Sequence, residues 1–234
     1  MITIIQETPS VAGNYLADLR DINIQQNKVL FRRNLQRLGV FMAHELSKHL
    51  SFEVKDIHTP LGIAACKKLN TSIVLGTILR AGLPMHQGFL DVFDDAENAF
   101  LTAYRKHDKT GKFEIEMEYV SCPDLKDKCL ILIDPMLATG ASIVKAVDHL
   151  LSYGIPSSIH IVSAIASKVG LDLVHNKLPN AHIWVGDVDK ELTAKSADCP
   201  LQRVKSAKLK TIFTAGSGKT VTSTVWAVPS QASP

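Results

Sequence analysis

Runs of apolar residues recur along this chain and predict the buried strands of a sheet. They occupy residues 72–78, 98–104, 128–133, 159–166 and 182–185. The runs are close to continuous, which is typical of parallel strands that are covered on both faces. Residues 113–120 differ, because Phe113, Ile115, Met117 and Tyr119 alternate with glutamates in the two-residue period of a half-buried strand.

Segments between these runs show the three- and four-residue spacing of helices with one buried face. The longest segment, residues 27–50, has its apolar positions at Phe31, Leu35, Leu38, Met42, Leu46 and Leu50. Shorter helices are predicted at residues 62–69, 139–152 and 168–176. Gly154 is placed to end the second of these shorter helices, and Pro84 suits the first turn of a further one.

Strands that alternate with helices build a parallel sheet with helices on both faces. The sequence therefore predicts an α/β fold whose central parallel sheet is flanked by helices, and ligands in such sheets bind at the carboxyl ends of the strands. The folded domain is predicted to span residues 1–196. Residues 197–234, whose last part is rich in Thr, Ser, Gly and Pro, are predicted to form a poorly ordered extension.

Composition narrows the class of protein. The chain has 234 residues, 46% of them hydrophobic and 21% charged, as in ordinary globular proteins. No apolar run approaches the roughly 18 residues that span a bilayer, and the first residues lack the basic lead of a secretory signal. The four cysteines form no paired framework or metal-ligand spacing. We therefore expect reduced thiols, a cytoplasmic location and no membrane partner.

The formal net charge of +3 is unevenly distributed. Residues 197–234 contain five basic residues and one acidic residue, a net +4, which leaves −1 for residues 1–196. A nucleic-acid-binding face would need a clustered basic patch on the folded domain, so no nucleic-acid partner is expected. Arg20, Arg32 and Arg33, which flank the long helix, are predicted to lie on a solvated helix face.

The most informative segment is the strand of residues 130–133 and the turn that follows it. Asp134 stands at the end of the strand, where a carboxylate can accept hydrogen bonds from sugar hydroxyls. The helix predicted to begin near Thr139 offers unpaired N–H groups and the positive end of its dipole to a phosphate. Together these groups suit a ribose 5-phosphate. The plainer alternative is a buried strand followed by a helix that Thr or Ser caps.

A second strand ends in a similar turn, at Ile78-Leu79-Arg80-Ala81-Gly82-Leu83. The planar fork of Arg80 matches pairs of phosphate oxygens. The alternative is an arginine that only keeps its charge in water at the end of a strand. The two turns lie about fifty residues apart in the chain.

Asp134-Pro135-Met136-Leu137-Ala138-Thr139-Gly140-Ala141-Ser142 resembles the phosphoribosyl-diphosphate signature of type I phosphoribosyltransferases, in the form found in the uracil enzymes. The resemblance departs at Ala141, where a second glycine is usual. The turn at Arg80 is similar to the family's diphosphate-binding loop. Tyr104-Arg105 stands where the family has a Tyr-Arg whose arginine contacts the diphosphate, and residues 113–120 resemble a β-arm that packs on a partner subunit.

The resemblance implies transfer of the phosphoribosyl group of 5-phospho-α-D-ribose 1-diphosphate to uracil, which gives UMP and diphosphate in pyrimidine salvage. Arg80 and Arg105 would bind the diphosphate with Mg²⁺, and Asp134 would hold the ribose hydroxyls. The 5-phosphate would be anchored by the amides and hydroxyls of 138–142. The resemblance also implies a homodimer, whereas it assigns no metal ligand.

The resemblance stops at about residue 196. There the family continues with a segment that reads uracil through backbone groups, and residues 197–234 contain no such motif, so no uracil-binding residue is assigned. One hypothesis is that the ending is frame-shifted or otherwise replaced. The alternative function is a catalytically impaired relative that binds the diphosphate sugar or a nucleotide as a sensor.

Overall fold

The computed structural model describes residues 1–107 and 113–189, with side chains described for residues 1–103 and 119–189. Its strands are β1 Ile2–Ile4, β2 Phe52–Thr59, β3 Gly62–Leu69, β4 Ile73–Leu79, β5 Glu97–His107, β6 Phe113–Ser121, β7 Cys129–Ile133, β8 Met136–Leu137, β9 Ser158–Ser167 and β10 His182–Asp189. Its helices are α1 Ala12–Arg20, α2 Lys28–Ser47, α3 Leu83–Leu90, α4 Ala141–Leu150 and α5 Lys168–Lys177. Short 3₁₀ turns at Ile5–Glu7 and Leu151–Tyr153 complete these elements.

The central sheet has the strand order β1-β10-β9-β7-β4-β5-β6, and β8 pairs with β9. Every pair in it is parallel except β5 with β6. Apolar side chains of α1, α2 and α3 pack with one set of buried strand residues, whereas those of α4 and α5 pack with a second set. The predicted α/β class, with a mainly parallel sheet between helices, is confirmed.

The segment 62–69 corrects the sequence analysis, because it forms strand β3 and not a helix. It pairs with β2 across the two-residue turn between Thr59 and Gly62, and β2 was not predicted. Residues 64–68, Ala-Ala-Cys-Lys-Lys, include good helix formers, but pairing with β2 overrides that weak preference. The two strands form a separate two-stranded sheet.

Arg20 also departs from the sequence analysis. Arg32 and Arg33 are exposed as predicted, but the fork of Arg20 joins the end of α1 to the end of β10. Its terminal nitrogens lie 2.9 Å from Asp187 Oδ2 and 2.5 Å from Asp189 Oδ1. Two planar N–H groups that each meet a carboxylate hold α1 in a fixed position on the sheet.

The remaining predicted elements lie within a few residues of their expected ends. Asn27 caps α2 by accepting hydrogen bonds from the backbone N–H groups of Val29 and Leu30. Gly154 has φ +124°, as a residue that ends a helical segment can, and Pro84 lies in the first turn of α3. Within the described ranges, no helix is long and apolar enough to cross a membrane.

Helices α2 and α3 cross with their backbones almost in contact. A Cβ atom on Gly39 would lie 2.4 Å from the carbonyl oxygen of Met85, and one on Gly88 would lie 2.1 Å from that of Gln36. Real Cβ atoms essentially never come so close to backbone atoms, so both positions need glycine for this crossing. The crossing fixes α3, and with it the loop that precedes α3.

Histidines and a tryptophan gather near the amino ends of β9 and β10. Trp184 Nε1 donates a hydrogen bond to His160 Nδ1 at 3.1 Å, and the ring of His182 stacks on Trp184 with centroids 4.2 Å apart. Burial lowers the pKa of His160 to about 4, helped by the nearby His182 and His49. Burial also lowers the pKa of His182 to about 4, helped by His49 and the terminal amine.

These pKa values predict acid-sensitive stability. Between about pH 6.5 and pH 4 the unfolded chain binds protons that the folded chain excludes, so stability is present above this window and is lost as the pH falls through it. His160→Asn keeps an acceptor near the position of Nδ1 but cannot titrate. We expect this variant to lose on the order of 2 kcal/mol less free energy of unfolding than the wild type between pH 7.5 and pH 4.5.

Urea unfolding at the two pH values measures this difference. His175→Asn, at an exposed position on α5, controls for the loss of a histidine as such. An identical acid response in the wild type and His160→Asn would show that the buried ring does not cause the sensitivity.

Candidate active site

The two predicted phosphate loops leave the sheet side by side. Strands β4 and β7 are parallel neighbours, and Thr77 is in register with Ile133. Their carboxyl ends therefore release the loop Arg80–Gly82 and the loop Asp134–Gly140 at the same edge. The buried hydroxyl of Thr77 donates to the carbonyl oxygen of Ile133 at 3.2 Å, which links the two strands immediately before their loops.

Gly82 fits closely between these strand ends. A Cβ atom there would lie 1.9 Å from Thr77 Oγ1 and 3.2 Å from the carbonyl oxygen of Ile133. The backbone continues into α3, where the N–H of His86 donates to the carbonyl oxygen of Gly82 at 2.9 Å. Arg80 opens this loop with an exposed side chain, and the Leu79–Arg80 peptide bond is cis. The loop places a cation at the edge where Asp134 also lies.

Asp134 is the first residue after β7, and its backbone is tied to β9. Its N–H donates to the carbonyl oxygen of Val162 at 3.0 Å, and the carbonyl oxygen of Pro135 accepts from the N–H groups of Ala164 and Ile165 at 3.1 Å each. The side chain is half-buried, and its Oδ1 lies 3.4 Å from the N–H of Met136. The carboxylate therefore stands on a rigid backbone beside the turn.

The turn then becomes the first turn of α4. Gly140 has φ +75°, in the left-handed region, and Ala141 is the first residue of the helix. The first N–H groups of a helix lack partners within it, and here the N–H of Val144 is the one that donates back to Gly140. Ala141 therefore keeps the helical backbone that a phosphate cradle needs. Thr139 is exposed, and Ser142 is half-buried.

Two buried serines of β9 contact this turn. Ser163 was predicted only as part of the apolar run 159–166, and Ser167 was assigned to no predicted element. Ser163 Oγ accepts from the N–H of Leu137 at 3.0 Å, and Ser167 Oγ donates to the carbonyl oxygen of Ala138. The signal that was present in the sequence is their spacing. Two hydroxyls four residues apart share one face of a strand.

Arg105 lies in the part of β5 that extends past the sheet. Strand β5 pairs with β4 only as far as Thr102, whereas its pairing with β6 continues to His107. At about 3.3 Å per residue, the backbone of Arg105 is about 10 Å beyond Thr102, in the direction of the edge that holds the two loops. The side chain of Arg105 lies outside the described residues, as do those of Tyr104 and 113–118. Residues 190–234, with the predicted extension, lie outside them as well.

The described side chains include no cluster of three or more His, Cys, Asp or Glu residues that suits a metal ion. Mg²⁺ in phosphate-binding sites is commonly held by one or two carboxylates together with the oxygens of the substrate. The single carboxylate of Asp134 beside the two loops fits that kind of binding. It does not fit a site that the protein would build alone.

Comparison with known proteins agrees with this geometry. The family model described as uracil phosphoribosyltransferase matches residues 5–200. The uracil phosphoribosyltransferase of Porphyromonas gingivalis is 44% identical over 192 residues, which cover 82% of this chain and 89% of that protein. The enzyme of the same name from Thermococcus gammatolerans is 35% identical over 190 residues, or 79% of this chain and 82% of that protein.

A solved structure shares this fold. The AQ2163 protein from Aquifex aeolicus aligns with a TM-score of 0.73 and 31% identity, over 83% of this chain and 90% of its own. The family model matches most of the chain, and both relatives carry the family's name. These findings agree with the loops at Arg80 and Asp134, which resemble the family's motifs. The chain belongs to the uracil phosphoribosyltransferase family.

Proposed function

We propose that this protein is a uracil phosphoribosyltransferase, which transfers the phosphoribosyl group of 5-phospho-α-D-ribose 1-diphosphate to uracil in pyrimidine salvage. The products are UMP and diphosphate. The observation that carries the proposal is the meeting of the Arg80 loop and the Asp134 loop at one edge of the sheet, joined by the hydrogen bond from Thr77 to Ile133. Family membership makes uracil the expected base.

The chemistry divides between the two loops. The amides at the start of α4, with the hydroxyls of Thr139 and Ser142, would anchor the 5-phosphate. Asp134 would accept hydrogen bonds from the ribose hydroxyls. A ring N–H of uracil loses its proton to solvent or to the departing diphosphate, and the nitrogen bonds to the anomeric carbon. The bond from that carbon to diphosphate breaks, and its electron pair leaves with the diphosphate. Arg80 stabilises the departing charge by preorganised electrostatics, and Arg105 is proposed to assist it.

We propose Mg²⁺ as the metal that accompanies the diphosphate sugar. Asp134 would contact the ion directly, or it would contact the ribose hydroxyls that the ion binds. Bound there, Mg²⁺ would supply positive charge to the phosphate oxygens.

We also propose a cytoplasmic location, which the free thiols of Cys66, Cys122 and Cys129 support. Burial raises the pKa of Cys122 to about 11, so its thiol stays protonated and unreactive.

One assay tests the function. The full chain is incubated with radiolabelled uracil, the diphosphate sugar and Mg²⁺, and UMP is separated by chromatography. We expect UMP to form, and we expect its formation to stop with EDTA and to return with added Mg²⁺. Binding of the diphosphate sugar without any UMP would overturn the enzyme proposal and identify a binding relative instead.

A homodimer is the assembly that we propose. Cross-strand pairing in the two-stranded sheet places Phe52, Val54, Ile63 and Leu69 on one face, and these four apolar side chains are exposed. The same face also carries Asp56, His58 and Lys67. A two-stranded sheet is marginal in water when nothing covers it. A second copy offers the same exposed apolar side chains, which is what a two-fold symmetric contact requires.

Val54→Glu tests this contact, because Val54 is exposed and lies directly opposite Lys67 in β3. The new carboxylate lies beside Lys67 on the same face, and it replaces an apolar side chain of the proposed contact with a charged one. We expect the wild type to elute as a dimer in light scattering coupled to gel filtration, and Val54→Glu to shift toward monomer. Ile155→Glu, at another exposed position, should stay dimeric. A dimer that Val54→Glu leaves intact would place the interface elsewhere.

A further inference from the structure

We infer that Ser163 and Ser167 are positioning residues, whose hydroxyls hold the backbone of residues 137 and 138 in the shape that binds the 5-phosphate. The inference rests on the proposed function, because it deepens the account of the same site. It concerns residues that do not touch the substrate themselves.

Ser163 determines where the first half of the turn lies. Its hydroxyl accepts from the N–H of Leu137 at 3.0 Å and donates to the carbonyl oxygen of Ile165 at 3.0 Å. Ser163 and Leu137 are both buried, each with about 1% of its surface exposed. Water cannot replace the hydroxyl there, so its loss leaves a buried N–H without an acceptor or moves the turn.

Ser167 joins the turn to the next helix. Its hydroxyl donates to the carbonyl oxygen of Ala138 and accepts from the N–H of Gly170 at 2.9 Å, so the same group also caps α5. The backbones around it are closely packed. A Cβ atom on Gly170 would lie 2.6 Å from the carbonyl oxygen of Leu137, and one on Gly140 would lie 2.8 Å from that of Gly170.

The backbone that these contacts hold continues directly into the amides at the start of α4, which would bind the 5-phosphate. Leu137 and Ala138 come immediately before Thr139 and Gly140, so a shift of their backbone moves the amides at the start of α4. Among the described residues, the partners of the two serine hydroxyls are Leu137, Ile165, Ala138 and Gly170, all on this side of the site and none in the loop Arg80–Gly82. Loss of either hydroxyl should therefore weaken binding of the 5-phosphate and leave binding of diphosphate unchanged.

The experiment compares two ligands by isothermal titration calorimetry, ribose 5-phosphate and inorganic diphosphate with Mg²⁺. In Ser163→Ala and Ser167→Ala we expect the Kd of ribose 5-phosphate to rise about tenfold, as when a buried donor or acceptor loses its partner. The Kd of diphosphate should stay within about twofold of wild type, because the Arg80 loop keeps its contacts. Ser167→Thr keeps a hydroxyl that can cap and donate, and it should bind both ligands as the wild type does.

Ile161→Val, which trims a buried side chain of the same strand, is the matched control. It should lower the free energy of unfolding without changing either Kd. An equal loss for both ligands, or no loss for ribose 5-phosphate, would overturn the inference. If the wild type binds ribose 5-phosphate but makes no UMP, the proposed function fails while the positioning role is still measured.

Discussion

An Asp134→Ala variant is expected to bind ribose 5-phosphate about tenfold to a hundredfold more weakly than the wild type, since hydrogen bonds to a charged group contribute about 1.5–3 kcal/mol. The fold should persist. The bond from the backbone N–H of Asp134 to Val162 does not depend on the side chain, and removal of a half-buried carboxylate leaves no large cavity. Isothermal titration calorimetry with ribose 5-phosphate measures the affinity, and urea unfolding measures the stability of the fold.

Two variants sharpen this test. Asp134→Asn keeps one acceptor oxygen but no charge, so its affinity should lie between those of wild type and Asp134→Ala. Asp148→Ala removes an exposed carboxylate from α4 and should change neither quantity. Wild-type affinity in Asp134→Ala would remove this carboxylate from the ribose site.

Gly82→Ala is expected to lower kcat/KM about a hundredfold, because a misplacement of about 1 Å near the reacting groups can cost that much. The added Cβ would lie 1.9 Å from Thr77 Oγ1, so the loop or Thr77 must move. Movement of the loop displaces Arg80, and rotation of Thr77 breaks its hydrogen bond to Ile133. Both responses disturb the diphosphate side of the site, so the KM of the diphosphate sugar should rise while that of uracil changes less.

A double-mutant cycle checks the cause. Thr77→Ala removes the atom that clashes, so the double variant should be more active than Gly82→Ala alone. Gly13→Ala serves as control, since its Cβ would meet only the end of the flexible Gln6 side chain, at 3.2 Å. That variant should keep full activity. Additive losses in the double variant would show that Thr77 does not cause the effect.

Most strands of the central sheet were predictable because they are nearly continuous apolar runs, which are typical of buried parallel strands. The hairpin of β2 and β3 was not, since 52–59 lacks a continuous apolar run and 64–68 favours a helix when read alone. Each of these two strands is stabilised by its pairing with the other. The spacing of apolar residues within one segment does not show whether a partner strand exists. Helix α1 was missed as well. Arg20 was misassigned because its partners, Asp187 and Asp189, lie more than 160 residues away in the chain.

The site divides in the same way. Asp134, Gly140 and Arg80 stand in local patterns, strand then turn then helix, which the sequence displays directly. Thr77, Ser163 and Ser167 act through backbone atoms that lie 56, 26 and 29 residues away. A serine within an apolar strand gives no indication of which distant carbonyl or amide it meets. The groups predicted to meet the ligand are therefore visible in the sequence, whereas those that support them are visible only in the three-dimensional structure.

Strand β9 carries His160 close to its start, Ser163 at its middle and Ser167 at its end, so acid is expected to act near the start of the strand and ligand near its end. A ligand that binds the native state alone stabilises it by mass action, without contact with the titrating rings. The gain in stability at mildly acidic pH would therefore measure the fraction of the protein that has ligand bound. The urea concentration at the midpoint of unfolding would be measured at pH 5 at increasing concentrations of ribose 5-phosphate. These values would yield a binding curve that needs neither turnover nor a label.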